Sequence, residues 1–258
     1  MSVALWSLGT AAAFFLWSVE AAPARSLDMI RAGGALHLCA HPNSLPYASK
    51  VGDPPGFQIE LGRALAKQLG VTLATEWIVI SSQIFRADCD IVLDAIADPE
   101  VQADTGLQIS KPYYRSGVGL AVPRGSTITT FASLNDHTKV GVQVGSIAAM
   151  LLNQQHVQTS TFGFEEDILE ALAAGEIDAA AVTSLSAGYY NLTHPSRGFA
   201  IVPPDETARD LVWNEAVGIR KPDIQLLDAI DAALDRLRAD GTIEAIYAKY
   251  GISLLPPR

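Results

Sequence analysis

The sequence predicts an α/β fold of two lobes, each built on a mostly parallel sheet, with two strands crossing between them. Three observations carry this expectation. Short apolar runs alternate with helical patterns in both halves of the chain, the grammar of parallel βαβ units. Between the halves, the stretch SKPYYRSGVGLAVPRGS from Ser110 to Ser126 holds an apolar run, Gly117 to Val122, bounded by breakers. A second apolar run, Leu211 to Ile219, offers the return crossing. The first lobe is therefore expected from residues 25–122 plus 214–258 and the second from 123–213. At 258 residues, 49% of them hydrophobic and 18% charged, the chain can bury two modest cores.

Residues 1–24 read as a secretory signal peptide. An apolar stretch from Val3 to Val19 is followed by small residues suited to cleavage after Ala21 or Ala24, and export to the periplasm follows. No Lys or Arg precedes the apolar stretch, so an uncleaved anchor stands as the alternative. The run ALHLCA, Ala35 to Ala40, is the first strand, and HPNSLPYASKVGDPPG after it has the residues of a long loop. Phe57, Leu61, Leu65 and Leu69 recur every four residues, with Ile59 and Ala66 flanking and Gly70 as a stop, which predicts a helix packed on a sheet. Val71 to Ile80 is the second strand, Ser81 to Asp88 a polar connection, and CDIVLDAIA, Cys89 to Ala97, a third and buried strand.

The second half repeats the scheme. Lys139 to Val144 is a strand, Gly145-Ser146 opens the helix IAAMLLNQQ, and Thr159 to Phe164 is another strand. Ile168, Leu169 and Leu172 share one face of a helix that stops at Gly175, ahead of a strand from Asp178 to Val182. Phe199 to Val202 is an edge strand. From Asp223 the chain is helical, with Leu227, Ile230, Leu234 and Leu237 in step, Gly241 as stop, and a last short helix holding Ile243, Ile246, Tyr247 and Tyr250.

A net charge of −10 argues against nucleic acid or an anionic membrane as partner. Two cysteines, Cys39 and Cys89, without CxxC spacing, give no support to a zinc or thioredoxin-type site. His37, Cys39 and His41 would share one face of a strand, but a soft-metal site needs further ligands in a closed geometry, so no metal is assigned. Nothing resembles a nucleophile elbow, and Gly141 to Gly145 lacks dinucleotide-loop spacing, so no catalytic residue and no cofactor is expected.

Two lobes joined by two crossings leave a cleft, faced by loops at the carboxyl ends of the strands. Tyr47 either lines it or staples its loop to the lobe. Asp94, late in the third strand, suits ligand contact, with a local hydrogen bond as the bland alternative. Ser146 is placed to cap a helix, and the same free N–H groups make an anion seat.

Six short motifs in order resemble the bacterial extracellular solute-binding proteins of family 3. They are Pro46-Tyr47, the helix start Gly56-Phe57-Gln58-Ile59-Glu60-Leu61, Cys89-Asp90, Ser110 to Tyr114, the turn Val140 to Ser146, and Glu170-Ala171-Leu172 with Gly175, Asp178 and Tyr189-Tyr190. The resemblance implies the two-lobed periplasmic-binding-protein fold and a small polar solute in the cleft. It also implies three anchors for an amino-acid ligand, and this chain departs from each. The arginine slot is Val101, the acidic position falls near Thr183, and the stacking aromatic falls at Ser44. An ordinary amino acid is therefore not expected. The ligand is placed between Asn43, Ser44 and Tyr47 and Asp94, Ala95 and Ile96 of the first lobe, and Gly145, Ser146 and Thr183 of the second.

Within the family, Leu36 to Tyr47, Cys89 to Val92 and Lys111 to Ser116 look like the quinoprotein (methanol) dehydrogenase-associated branch. That resemblance implies a disulfide between Cys39 and Cys89, in keeping with neighbouring strands and an oxidising compartment. Three functions stay open: a monomeric binding protein whose closed lobes are read by a membrane permease of an ABC-type transporter, an interaction protein for a periplasmic quinoprotein dehydrogenase, and, third, an enzyme such as a dehydratase of cyclic acids.

Overall fold

The computed structural model describes residues 25–204, 209–220 and 223–258, and the signal peptide expected at residues 1–24 lies outside them. The chain runs α1 (Leu27–Gly33), β1 (Ala35–Ala40), β2 (Asn43–Ser44), β3 (Ala48–Ser49), α2 (Phe57–Leu69), β4 (Thr72–Trp77), β5 (Ile91–Ile96), α3 (Pro99–Gln102), β6 (Leu107–Ile109) and β7 (Tyr114–Val122). It continues with β8 (Lys139–Gln143), α4 (Ile147–Gln154), β9 (Gln158–Phe162), α5 (Glu165–Ala173), β10 (Ala179–Thr183), α6 (Ser184–Thr193), β11 (Ala200–Val202), β12 (Val212–Arg220), α7 (Ile224–Ala239) and α8 (Thr242–Ala248).

β1 pairs in parallel with β4 and β5, and β8 pairs in parallel with β9 and β10. The two parallel sets are joined through the long strands β7 and β12, which run antiparallel to each other and to their neighbours β10 and β5. The strand path is β4-β1-β5-β12-β7-β10-β8-β9, with β6 on β12 and β11 on β7. The expected α/β fold of two lobes with parallel sheets is thus present, curled about two shared strands.

Hydrophobic packing follows the lobes. One core gathers Leu36, Leu38, Phe57, Leu61, Leu65 and Ile91 with Ile230, Leu234 and Tyr247. Two clusters fill the other lobe, one around Leu120, Val140 and Val142 and one around Ile168, Leu172 and Val182. β7 changes cores along its length: Tyr114 is buried in the first, Val118 and Leu120 in the second. The every-fourth pattern of α2 is read out directly, since Phe57, Leu61, Leu65 and Leu69 are all buried, and Gly70 ends the helix at φ 79°. Burying a side chain of that size contributes roughly 1.5–3 kcal/mol.

Three helices, α1, α3 and α6, exceed the sequence expectation. Ser26 caps α1 by accepting from the Met29 amide, and Thr183 caps α6 by accepting from the Ser186 amide. α6 belongs to the second lobe by sequence, through Ala187 and Tyr190, yet its Leu185 sits in the first-lobe core and the Tyr189 ring lies 6.1 Å from Tyr250. Gly188 faces Gly251 across this contact, where a β-carbon on Gly188 would stand 2.7 Å from the Gly251 carbonyl oxygen.

Cys39 and Cys89 form the expected disulfide, with Cα atoms 5.4 Å apart. Strand register alone would set Cys89 beside Leu36, since Leu38 pairs with Ile91. Residues 86–90 form no strand, which lets Cys89 come back to Cys39. Beside it, buried Asp90 receives Arg25 at 2.8 and 3.0 Å and the His37 amide at 2.8 Å. The last residues lie along the crossing strands: the Arg115 amide donates to Leu255, and Asn214 exchanges hydrogen bonds with Arg258.

Candidate functional site

A cavity of about 830 Å³ lies between the lobes. Its first-lobe wall is the loop after β1, with His41, Asn43, Ser44 and Tyr47, joined by Gln58 of α2, Val92 and Leu93 of β5, and the apolar edge Ile78 to Ile80. Its second-lobe wall is Gln143, Phe164 to Asp167 at the start of α5, and Thr183, Ser186, Tyr189 and Tyr190 around α6.

One chain of hydrogen bonds spans the two walls. The Tyr47 hydroxyl of the first lobe lies 3.2 Å from Thr183 Oγ1 of the second. Thr183 Oγ1 donates to Glu165 Oε2 at 2.8 Å, which leaves it to accept from Tyr47, and Glu165 Oε1 takes the Thr183 amide, also at 2.8 Å. Burial, helped by the nearby Glu165 charge, pushes the Tyr47 phenol well above its ordinary range, so it stays a neutral donor. The ring also packs on Phe57 at 5.0 Å between centroids, so Tyr47 both lines the cleft and staples its loop.

Asp94 takes another place. It has φ 55°, and its carboxylate points into the first lobe. Tyr113 at 2.6 Å and Tyr114 at 3.0 Å donate to Oδ1, Tyr247 stands at 3.4 Å, and Gln58 donates to Oδ2 at 2.6 Å. Four donors from α2, α8 and the start of β7 turn this side chain inward, and the structure does not bring it to the cavity wall. Ala95 and Ile96 do not line the cavity either; Ala95 is buried against β12. Gly145 and Ser146 also lie off the wall, because Ser146 Oγ is spent as the cap of α4, accepting from the Ala149 amide at 3.1 Å. Of the expected ligand set, Asn43, Ser44, Tyr47 and Thr183 line the cavity together. His37 and His41 have local roles, His37 facing Glu76 at 3.0 Å and His41 accepting from the Asn43 amide.

Glu165, Tyr189 and Tyr190 were not singled out as site residues from the sequence. The signal lay in the rule applied elsewhere, that loops after strands face the cleft, because Phe164 and Glu165 follow β9 just as Asn43 follows β1.

Near Asp94 lies a second buried carboxyl, Glu215 on β12. Its Oε1 accepts from Trp213 Nε1 at 2.6 Å and its Oε2 has no partner among the described residues. Burial raises both carboxyls, and Glu215 the more, with the Asp94 charge adding to it. Raised values mean that the folded chain holds these protons to higher pH than the unfolded chain. Their contribution to stability is full below the ordinary carboxyl range near about pH 4 and is lost as pH rises through the folded values. Glu215→Gln keeps the Trp213 bond without the buried acid, and is expected to stabilise the protein by about 1–3 kcal/mol at pH 8 with a smaller gain at pH 4. Thermal melts of both proteins across that range check this, and an equal effect at both ends would refute it.

Comparison with known proteins places the chain in a family. The family pattern of bacterial extracellular solute-binding proteins, family 3, matches residues 36–253. This chain belongs to that family. The L-cystine-binding protein TcyJ of Escherichia coli (strain K12) is 28% identical over 202 residues, covering 76% of this chain and 73% of TcyJ. Among solved structures, the Ancestral Cationic Amino Acid Solute Binding Protein AncCDT-1 superposes with a TM-score of 0.76 at 25% identity, over 88% of this family-3 chain and 99% of its own. MxaJ from Methlophaga aminisulfidivorans MPT shares the fold, with a TM-score of 0.69 at 22% identity over 85% of this chain and 100% of its own.

Proposed function

We propose that this protein binds a small polar solute between its lobes, without transforming it, and delivers it as a periplasmic monomer to an ABC-type transporter. The observation that carries this reading is the Tyr47 to Thr183 hydrogen bond beside the interlobe cavity. It is a contact made only when the walls approach, so solute burial and lobe closure are one event. Relatives named for binding amino acids support the solute-binding part. The solute is not an ordinary amino acid: the arginine slot is Val101, half exposed on α3, and no Lys or Arg lines the cavity among the described residues.

A thermal-shift screen of small metabolites, followed by small-angle scattering with and without the best hit, tests the reading. Compaction on binding is expected, and a blank screen would count against it. Once a solute is found, Tyr47→Phe and Thr183→Val are each expected to weaken binding by about 0.5–1.5 kcal/mol, the worth of one hydrogen bond. Calorimetry checks this, and unchanged affinity in both variants would place the solute elsewhere.

A second reading, an accessory protein of a quinoprotein dehydrogenase, is favoured by the Cys39–Cys89 disulfide that the resemblance to that branch implies. Co-elution with a purified quinoprotein methanol dehydrogenase, and none with permease, would select it. Export with removal of residues 1–24 is read from the amino terminus of protein recovered from the periplasm.

A further inference from the structure

The charges around the cleft are one-sided. Glu165, Glu166 and Asp167 line the second-lobe wall, and among the described residues no Lys or Arg lines either wall. The positive end of α5 behind these three carboxylates supplies only about half a charge. A ligand carboxylate would be met best at a helix amino terminus, and that of α6 stands on the cavity wall at Thr183 and Ser186. That place is taken by the protein itself. Glu165 accepts from both the amide and the hydroxyl of Thr183, and Thr183 Oγ1 accepts from the Ser186 amide. An incoming carboxylate would therefore displace a bonded carboxylate and face two more.

Glu166 and Asp167 differ from Glu165. Both are exposed at the cavity, and neither makes a hydrogen bond or ion pair with another side chain among the described residues. Aromatic faces stand in the same wall: Phe164 is 56% exposed, and Tyr189 is partly open. Carboxylates with aromatic rings and no counter-cation form the environment in which an ammonium group is held by charge and by cation–π attraction together.

We propose that the cleft selects small organic ammonium ions that carry no carboxylate, with Glu166 and Asp167 facing the charge and Phe164 and Tyr189 beside it. This rests on the reading of the cleft as the solute site. The apolar edge at Ile78, Val79 and Ile80 opposite gives the ligand's carbon skeleton a surface to cover.

The test uses three probes of one carbon skeleton with different charge: n-butylammonium, butyrate and L-2-aminobutyrate, titrated calorimetrically into the disulfide-intact protein. n-Butylammonium is expected to bind at least about tenfold more tightly than either of the others, and to lose about tenfold in the Glu166→Gln/Asp167→Asn double variant. Those two residues are exposed and without side-chain partners, so the fold tolerates their change. Tighter binding of butyrate or aminobutyrate, abolished by Thr183→Val, would overturn the cation inference and leave the solute-binding reading standing. Cation affinity unchanged in the double variant would also overturn it. No binding by any probe would overturn it too, and a blank metabolite screen beside that result would remove the solute-binding reading as well.

Discussion

Reducing the Cys39–Cys89 bond is expected to destabilise the protein by about 4 kcal/mol. The bond closes a loop of 50 residues, and the chain-entropy model gives that figure for such a length because the unfolded chain regains the freedom the cross-link removed. The loop holds α2 and β4, so the bond ties the start of β5 to β1 across a whole βαβ unit. For a protein of this size the loss corresponds to a melting temperature lower by about 8–16 °C. Differential scanning calorimetry with and without reductant, alongside Cys39→Ser/Cys89→Ser, gives the answer. An unchanged melting temperature in both would show that the sheet holds β5 in place unaided.

Asp94→Ala is expected to cost about 3–5 kcal/mol. Tyr113, Tyr114, Tyr247 and Gln58 all direct donors at this carboxylate, and truncation leaves those polar groups without their acceptor in the first-lobe interior. The backbone adds to the loss, since φ 55° suits Asp or Asn better than Ala. Asp94→Asn keeps one acceptor oxygen and the tolerated φ, so it should cost less than half as much. Urea denaturation of the two variants measures the difference. If Asp94→Ala costs under about 1 kcal/mol, the tyrosine hydroxyls have found other partners.

The regular elements were legible because their signals are local. The four-residue spacing of Phe57, Leu61, Leu65 and Leu69, the Gly70 and Gly241 stops, and the runs at Ala35 to Ala40 and Gly117 to Val122 each need only their own neighbours in sequence. α6 was less legible: SLSAGYYNLT is rich in weak helix formers, and its existence depends on the Thr183 cap and on Leu185 and Tyr189 packing against the other lobe. The site divides in the same way. Asn43, Ser44 and Tyr47 come after β1 and Thr183 ends β10, all on the cleft side, which pattern reading can place. Asp94 also stands near a strand end, but its direction is decided by tyrosines 19, 20 and 153 residues away, which no local pattern carries. Glu165 reads in sequence as an acidic first turn favourable to a helix, and only the fold reveals that Thr183, 18 residues on, lies against it.

The contact between Gly188 and Gly251 reaches beyond packing. Each lacks the atom that would strike the other's carbonyl, at 2.7 and 2.9 Å, so the two backbones approach more closely here than any side chain would allow. A protein whose binding-competent form is only partly populated shows an affinity scaled down by that fraction, about tenfold for each 1.4 kcal/mol by which the open form is favoured. Under the proposed solute-binding function, bulk at these two positions is expected to shift the resting balance between open and closed forms. Affinity for the solute can be moved by residues that never touch it, while its chemical selectivity stays with the walls of the cleft.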